Sequence, residues 1–129
     1  MALENASPVV DLESPEALRV FFRIAQAWGL SRVERLMLLG VDEITFAAFE
    51  AGELTAKLDD ATTARLSHIF AIYSALQVLL PIPERADAWI KQPNSAPLFG
   101  GARALDRMVS GQFADLALVR QYLDAQLYA

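Results

Sequence analysis

His68 is the only histidine in the chain, and there is no cysteine. A protein metal site needs several His, Cys or carboxylate ligands at set spacing. The Asp and Glu residues around His68 are scattered instead, so no metal site is expected. His68 stands between Ser67 and Ile69, which suits a partly buried structural histidine at the edge of an apolar helix stripe. Acid–base chemistry would need paired carboxylates in a cleft. Asp59 and Asp60 are adjacent and fit a helix cap better, while Asp106 and Asp115 read as solvated helix acids. No serine sits in a nucleophile-elbow context, and Gly100-Gly101 is too little glycine for a phosphate-binding loop. The expectation is a protein that is not an enzyme and carries no cofactor.

The chemistry that remains is nucleic-acid recognition. Two short helices around the turn Leu39-Gly40-Val41 have helix-turn-helix proportions. In such a unit the second helix enters the major groove, and its N-terminal side chains meet base edges. Here that helix reads D-E-I-T-F-A-A-F-E-A-G-E from Asp42. Thr45 is its neutral polar reader, and Arg32 and Arg35 on the preceding helix are the nearest cations. These three are the DNA-contact candidates. Asp42 and Glu43 stand where phosphates would approach, and anions there oppose binding.

Charge and composition point the same way. The net charge is −5, and 54% of the 129 residues are hydrophobic, above the globular average of roughly 45–50%. Split after Leu58, the first part holds five basic and nine acidic residues, the remainder six and seven. Neither half has the positive balance that drives phosphate binding. The missing cysteines exclude a disulfide scaffold and thiol chemistry and fit a reducing cytoplasm. The acidic start M-A-L-E-N-A-S-P has no basic-then-apolar signal pattern. No apolar run approaches the ~20 residues of a membrane span. A cytoplasmic protein away from membranes is expected, with apolar surface left over for a partner.

Helical periodicity runs through the chain, and no segment alternates with period two over strand length. The pattern predicts an all-α protein of about seven helices. Residues 1–13 form an N-terminal arm in which Val9, Val10 and Leu12 are apolar enough to dock. Ser14-Pro15-Glu16 opens a first helix with Leu18, Phe21, Phe22, Ala25 and Trp28 as its buried stripe. Ser31 to Glu34 is a capping box opening a second helix, with Val33, Leu36 and Met37 facing inward. A third runs from about Asp42 to Ala51 with Ile44, Ala48 and Phe49 in the core. Asp59 or Asp60 caps a long fourth helix to Leu80, whose apolar residues include Leu66, Ile69, Phe70, Tyr73, Leu76, Val78, Leu79 and Leu80. This spine joins a helix-turn-helix-like half (14–80) to a small helical half (81–129).

The second half holds a fifth helix through Ala86, Trp89 and Ile90, a Pro/Asn/Gly loop from Gln92 to Gly101, a short helix with Leu105 and Met108, and a closing helix from Phe113. In the loop, Leu98 is expected to plug the core. Phe99 suits either a core plug or an exposed anchor. On the closing helix Arg120, Gln121, Asp124 and Gln126 oppose the apolar side, and Tyr and Arg are typical interface anchors.

The order Trp89, Pro93-Asn94, Leu98-Phe99-Gly100, A-L-D-R-M at Ala104 to Met108, Ser110-Gly111 and V-R-Q-Y-L-D at Val119 to Asp124 resembles the C-terminal toxin-binding domain of the Xre/MbcA/ParS antitoxin family. Residues 15–80 more loosely resemble that family's Xre-type helix-turn-helix domain. The chain departs from the family at Gly101-Ala102-Arg103, where a serine-proline pair is common, and in the acids and phenylalanines of its third helix. The resemblance implies an antitoxin of a type II toxin–antitoxin system. Its partner would be a RES-domain toxin whose NAD-binding cleft it blocks. It also implies a homodimer and autoregulation of the operon by DNA binding. Under it, Trp89 and Leu105 hold the binding domain together, and Asn94, Phe99 and Gly100 shape the loop against the toxin. Arg120, Tyr122 and Asp124 project toward the cleft, with Leu123 and Leu127 as their packed underside. The competing reading is a stand-alone helix-turn-helix transcriptional regulator using Arg32, Arg35 and Thr45. An interaction module with another partner is a third.

Overall fold

The structure is a computed structural model that describes residues 11–53 and 57–129. Val9 and Val10 of the expected arm lie outside the described residues. The elements are α1 (Pro15–Ala27), α2 (Arg32–Leu39), α3 (Glu43–Glu50), α4 (Asp60–Leu79), α5 (Pro83–Ala88) with a 3-10 turn at Trp89–Lys91, α6 (Ala104–Met108) and α7 (Phe113–Leu127). Among the described residues there is no strand, only an isolated antiparallel bridge between Pro93 and Arg103. The fold is all-α.

Local chemistry sets most of the helix ends. Ser31 Oγ accepts the Glu34 N–H, and Glu34 Oε1 accepts the Ser31 N–H at 2.8 Å, so the capping box is complete. Asp42 Oδ1 caps α3 through the Thr45 N–H at 2.7 Å, and Asp59 Oδ1 caps α4 through the Thr62 N–H at 2.8 Å. Ser14 sits at the start of α1 but does not cap it. Its hydroxyl donates instead to the Asp11 carbonyl at 2.7 Å, and Pro15, which has no N–H to satisfy, opens the helix without help.

Gly40 closes α2 at φ 68°, and a Cβ there would run into the Arg65 guanidinium. Gly40→Ala is therefore expected to lose about 1–2 kcal/mol of stability from the left-handed backbone alone, plus the displacement of Arg65. Thermal unfolding checks this against Gly52→Ala, whose φ is 70° but whose Cβ would meet nothing within 4 Å among the described residues.

One buried cluster runs through both halves of the chain. Trp28 packs on Tyr73 at 5.9 Å between ring centres, joining α1 to α4. Phe22 meets Phe46 edge-on at 5.8 Å, joining α1 to α3. α4 runs along α7, its most extensive partner, from Arg65 and His68 beside Phe113 onward, with Leu116, Val119 and Leu123 buried on the α7 side. The arm's last residues are held too: the Leu58 N–H donates to the Glu13 carbonyl at 2.6 Å, and Leu12 packs against the core.

Two expected core residues, Val33 and Ile44, face outward, and so does Val78 among the apolar residues of α4. Val33 is 68% exposed, Ile44 82% and Val78 68%. In α3 the inward positions are Phe46 and Phe49, and Ile44 lies roughly 200° around the helix from Phe46 at ~100° per residue. Val78 stands in the same relation to Leu76. In α2 the buried pair is Leu38 and Leu39, in the last turn. A short helix docks on its bulkiest side, and the remaining apolar residues are carried outward with the turn.

Candidate functional site

Loop 93–103 between the 3-10 turn and α6 is held by its own hydrogen bonds. The Asn94 N–H donates to Ala102 O at 2.9 Å, and the Gly101 N–H returns to Asn94 O at 2.7 Å. Asn94 Oδ1 accepts the Ala96 N–H at 2.9 Å, an Asx turn that aims the chain toward Phe99. Gly100 and Gly101 both have positive φ, 57° and 93°, a pair of left-handed residues that glycine adopts without strain. Asn94 and Gly100 thus shape the loop through backbone geometry.

Phe99 is a core plug, only 7% exposed. Its ring meets Trp89 at 5.9 Å and Tyr122 at 5.3 Å, both edge-on, while Trp89 and Tyr122 stack at 6.3 Å. This trio ties the loop to the end of α5 and to α7. Leu98 is half-buried against the core. Tyr122 and Trp89, with Leu76, Leu79, Leu80, Leu123 and Gln126, line an open apolar groove of about 250 Å³.

A second tie lies under the loop. Arg107 on α6 donates to Leu98 O at 3.0 Å and to Asp115 Oδ1 on α7 at 2.6 Å, and the Ser110 hydroxyl donates to Asp115 Oδ2 at 2.7 Å. Asp115 is therefore a structural acid rather than a solvated one. Asp106 is engaged as well. It accepts the Arg103 N–H at 3.1 Å and pairs with the Arg103 guanidinium at 2.6 Å. That hydrogen bonding from Arg103 holds its carboxyl below the usual range.

Arg120 and Asp124 sit one turn apart on α7 and pair at 3.6 Å, with 36% and 41% of their side chains exposed. Arg120 Nη1 also lies 3.3 Å from His68 Nδ1 on α4. Tyr122 points to the other side of the helix, into the aromatic trio. The three α7 candidates thus divide between two patches: Arg120 and Asp124 beside His68, and Tyr122 beside Phe99 and the loop. The involvement of His68 was not visible in the sequence, because His68 and Arg120 are separated by 52 positions.

Burial, then the charge of Arg120, pushes the His68 imidazole below its ordinary 6.5, while Asp124 pulls the other way. The unfolded chain binds a proton on His68 before the folded protein does. Stability is unaffected above about 6.5 and falls as the pH drops below it, until the folded imidazole also protonates. His68→Asn is expected to flatten that part of the stability-versus-pH curve, measured by urea unfolding at several pH values.

The region that holds both patches has a counterpart in known proteins. The model of the antitoxin Xre/MbcA/ParS C-terminal toxin-binding domain matches residues 75–128. The chain is also 47% identical over 126 residues to the uncharacterized protein y4oB of Sinorhizobium fredii (strain NBRC 101917 / NGR234), covering 96% of this chain and 95% of that protein. This chain belongs to the Xre/MbcA/ParS antitoxin family. Its toxin-binding domain begins in the last part of α4 and takes in the loop, the aromatic trio and all but the end of the chain.

In this member of the family the three DNA-contact candidates are all engaged internally. Arg32 pairs with Glu50 at 2.9 Å and with Glu43, and its guanidinium lies over the Phe46 ring at 5.1 Å. Arg35 Nε donates to Leu30 O at 3.0 Å. Thr45 gives its N–H to Asp42, whose carboxylate is held below its usual range by hydrogen bonds from Thr45. The acids of α3 neutralise the cation that a phosphate would need. Among the described residues no group of His and carboxylate side chains could hold a metal ion, and no helix is long and apolar enough to cross a membrane.

Proposed function

We propose that this protein is the antitoxin of a type II toxin–antitoxin pair, and that its toxin-binding domain covers the NAD-binding cleft of a RES-domain toxin. The observation that carries this reading is the coincidence of the matched domain, residues 75–128, with a pre-ordered surface of loop 93–103 and α7. A surface already fixed by its own hydrogen bonds and aromatic packing loses little freedom when a partner docks. The protein performs no reaction itself and acts by occupying the cleft. A cleft that receives NAD phosphates is locally basic, and a partner of net charge −5 is steered toward it.

In this reading residues 81–129 carry the toxin contact, with Asn94, Phe99 and Gly100 setting the loop and Arg120, Tyr122 and Asp124 on α7. Phe99 acts from beneath the surface. Residues 14–80 are a helix-turn-helix scaffold. The protein works in the cytoplasm as a homodimer. Autoregulation by DNA binding through α3 is disfavoured by the pairing of Arg32 with Glu43 and Glu50, as is the stand-alone regulator.

The test is a pull-down of the tagged protein from its own host, followed by an NAD-consumption assay on what is recovered. A RES-domain protein in stoichiometric amount, inactive in the complex and active once separated, is the expected result. Recovery of operator DNA without a protein partner would overturn the reading in favour of a regulator.

A further inference from the structure

The contact between Arg120 and His68 has a consequence for how α7 meets a partner. A guanidinium only donates hydrogen bonds and keeps its proton at any working pH. At 3.3 Å from Arg120 Nη1, His68 Nδ1 must therefore be the acceptor. That places the imidazole in its neutral form with the proton on Nε2. The ring is held from another side by Phe113 of α7, at 5.1 Å between centres. Arg65, one turn earlier on α4, lies over that same Phe113 ring at 5.9 Å. The charged groups around His68 are thus Arg120 and Asp124 from α7 and Arg65 from its own helix, two cations and one carboxylate.

We propose that neutral His68 is the positioning residue for Arg120, fixing its guanidinium for the partner, and that protonation of His68 releases it. This rests on the reading of α7 as a toxin-contacting helix. Two geometric facts carry it. The Arg120 guanidinium lies between two partners, with Nε in ion-pair range of Asp124 at 3.6 Å and Nη1 3.3 Å from His68 Nδ1, and these two contacts restrict its long side chain. Yet it stays partly exposed, at 36%, within reach of a partner. An imidazolium has no lone pair to offer at Nδ1 and repels the guanidinium. It would also compete for Asp124, and the clamp would open at both ends at once. Pre-fixing an arginine reduces the entropy lost on binding, so opening the clamp weakens the complex without removing any contact residue.

The chain holds one histidine, so its imidazole signals are unambiguous by nuclear magnetic resonance. In the free protein the Nε2-protonated tautomer is expected, with a titration that moves up in Arg120→Gln and down in Asp124→Asn. An Nδ1-protonated ring, or a titration unmoved by Arg120→Gln, overturns the clamp whether or not a toxin binds. The second arm is calorimetry with the RES-domain protein recovered from the host. Wild-type affinity should fall by up to about tenfold per pH unit below the imidazole titration, the limit for one linked proton. His68→Asn keeps an acceptor near the Nδ1 position and cannot titrate, so it should bind as wild type at neutral pH and lose the acid-side fall. His68→Leu, which offers no acceptor, should bind more weakly than His68→Asn at every pH. Identical pH profiles for wild type and His68→Asn overturn the proposal while leaving the antitoxin reading intact. An intact clamp in a protein that binds no toxin overturns the antitoxin reading instead, and with it the role given to Arg120.

Discussion

Phe99→Ala is expected to lower the unfolding free energy by about 3–5 kcal/mol, the usual cost of emptying a large aromatic site in a core. The ring is 7% exposed and touches both Trp89 and Tyr122, so its loss leaves a cavity bounded by two large side chains that cannot collapse together. The same change frees loop 93–103 from α7, because the trio is the loop's apolar attachment. Urea unfolding should show a lower midpoint with an unchanged slope. Leu118→Ala, at a position 38% exposed on α7, should stay within about 0.5 kcal/mol of wild type. Equal effects for the two variants would mean that the trio does not hold the loop.

Arg107→Met is expected to cost about 1.5–3 kcal/mol, the range for hydrogen bonds to a charged group. The lower end applies because the guanidinium is 34% exposed and water competes for it. What distinguishes this residue is geometry: one guanidinium spans Leu98 O and Asp115 Oδ1, joining loop, α6 and α7. Arg107→Lys should not restore stability, since a single ammonium cannot serve two partners in different directions as the planar fork does. A protease acting on the native protein should cut the loop faster in both variants. A lysine variant as stable and as resistant as wild type would show that charge alone suffices, and that the two-way hydrogen bonding does not matter.

What could be read directly from the residues was local in origin. The Ser31–Glu34 box and the Asp42 and Asp59 caps are interactions between positions three apart. The stop at Gly40 follows from the left-handed backbone that glycine adopts without strain. The all-α class follows from periodicity that no strand pattern contradicts. The order of motifs from Trp89 to Asp124 carried the family, because the loop needs Asn94 for its Asx turn and Gly100 and Gly101 for consecutive left-handed residues.

The side that each helix turns to the core was decided elsewhere. Val33, Ile44 and Val78 are as apolar as the residues that are buried, and nothing within a helix that is apolar on two sides says which of them will dock. Phe99 was open between plug and anchor until Trp89 and Tyr122, ten positions before it and 23 after it, were seen to close around it. Asp115 looked like a surface acid until α6 brought Arg107 and Ser110 to it. His68 looked like a structural histidine because Arg120 is 52 positions away. By itself the sequence determined the helices, the caps at Ser31, Asp42 and Asp59, and the family. Tertiary structure alone decided which side of each helix is buried and which distant charged groups meet, because these depend on the packing of helix against helix and not on neighbours along the chain.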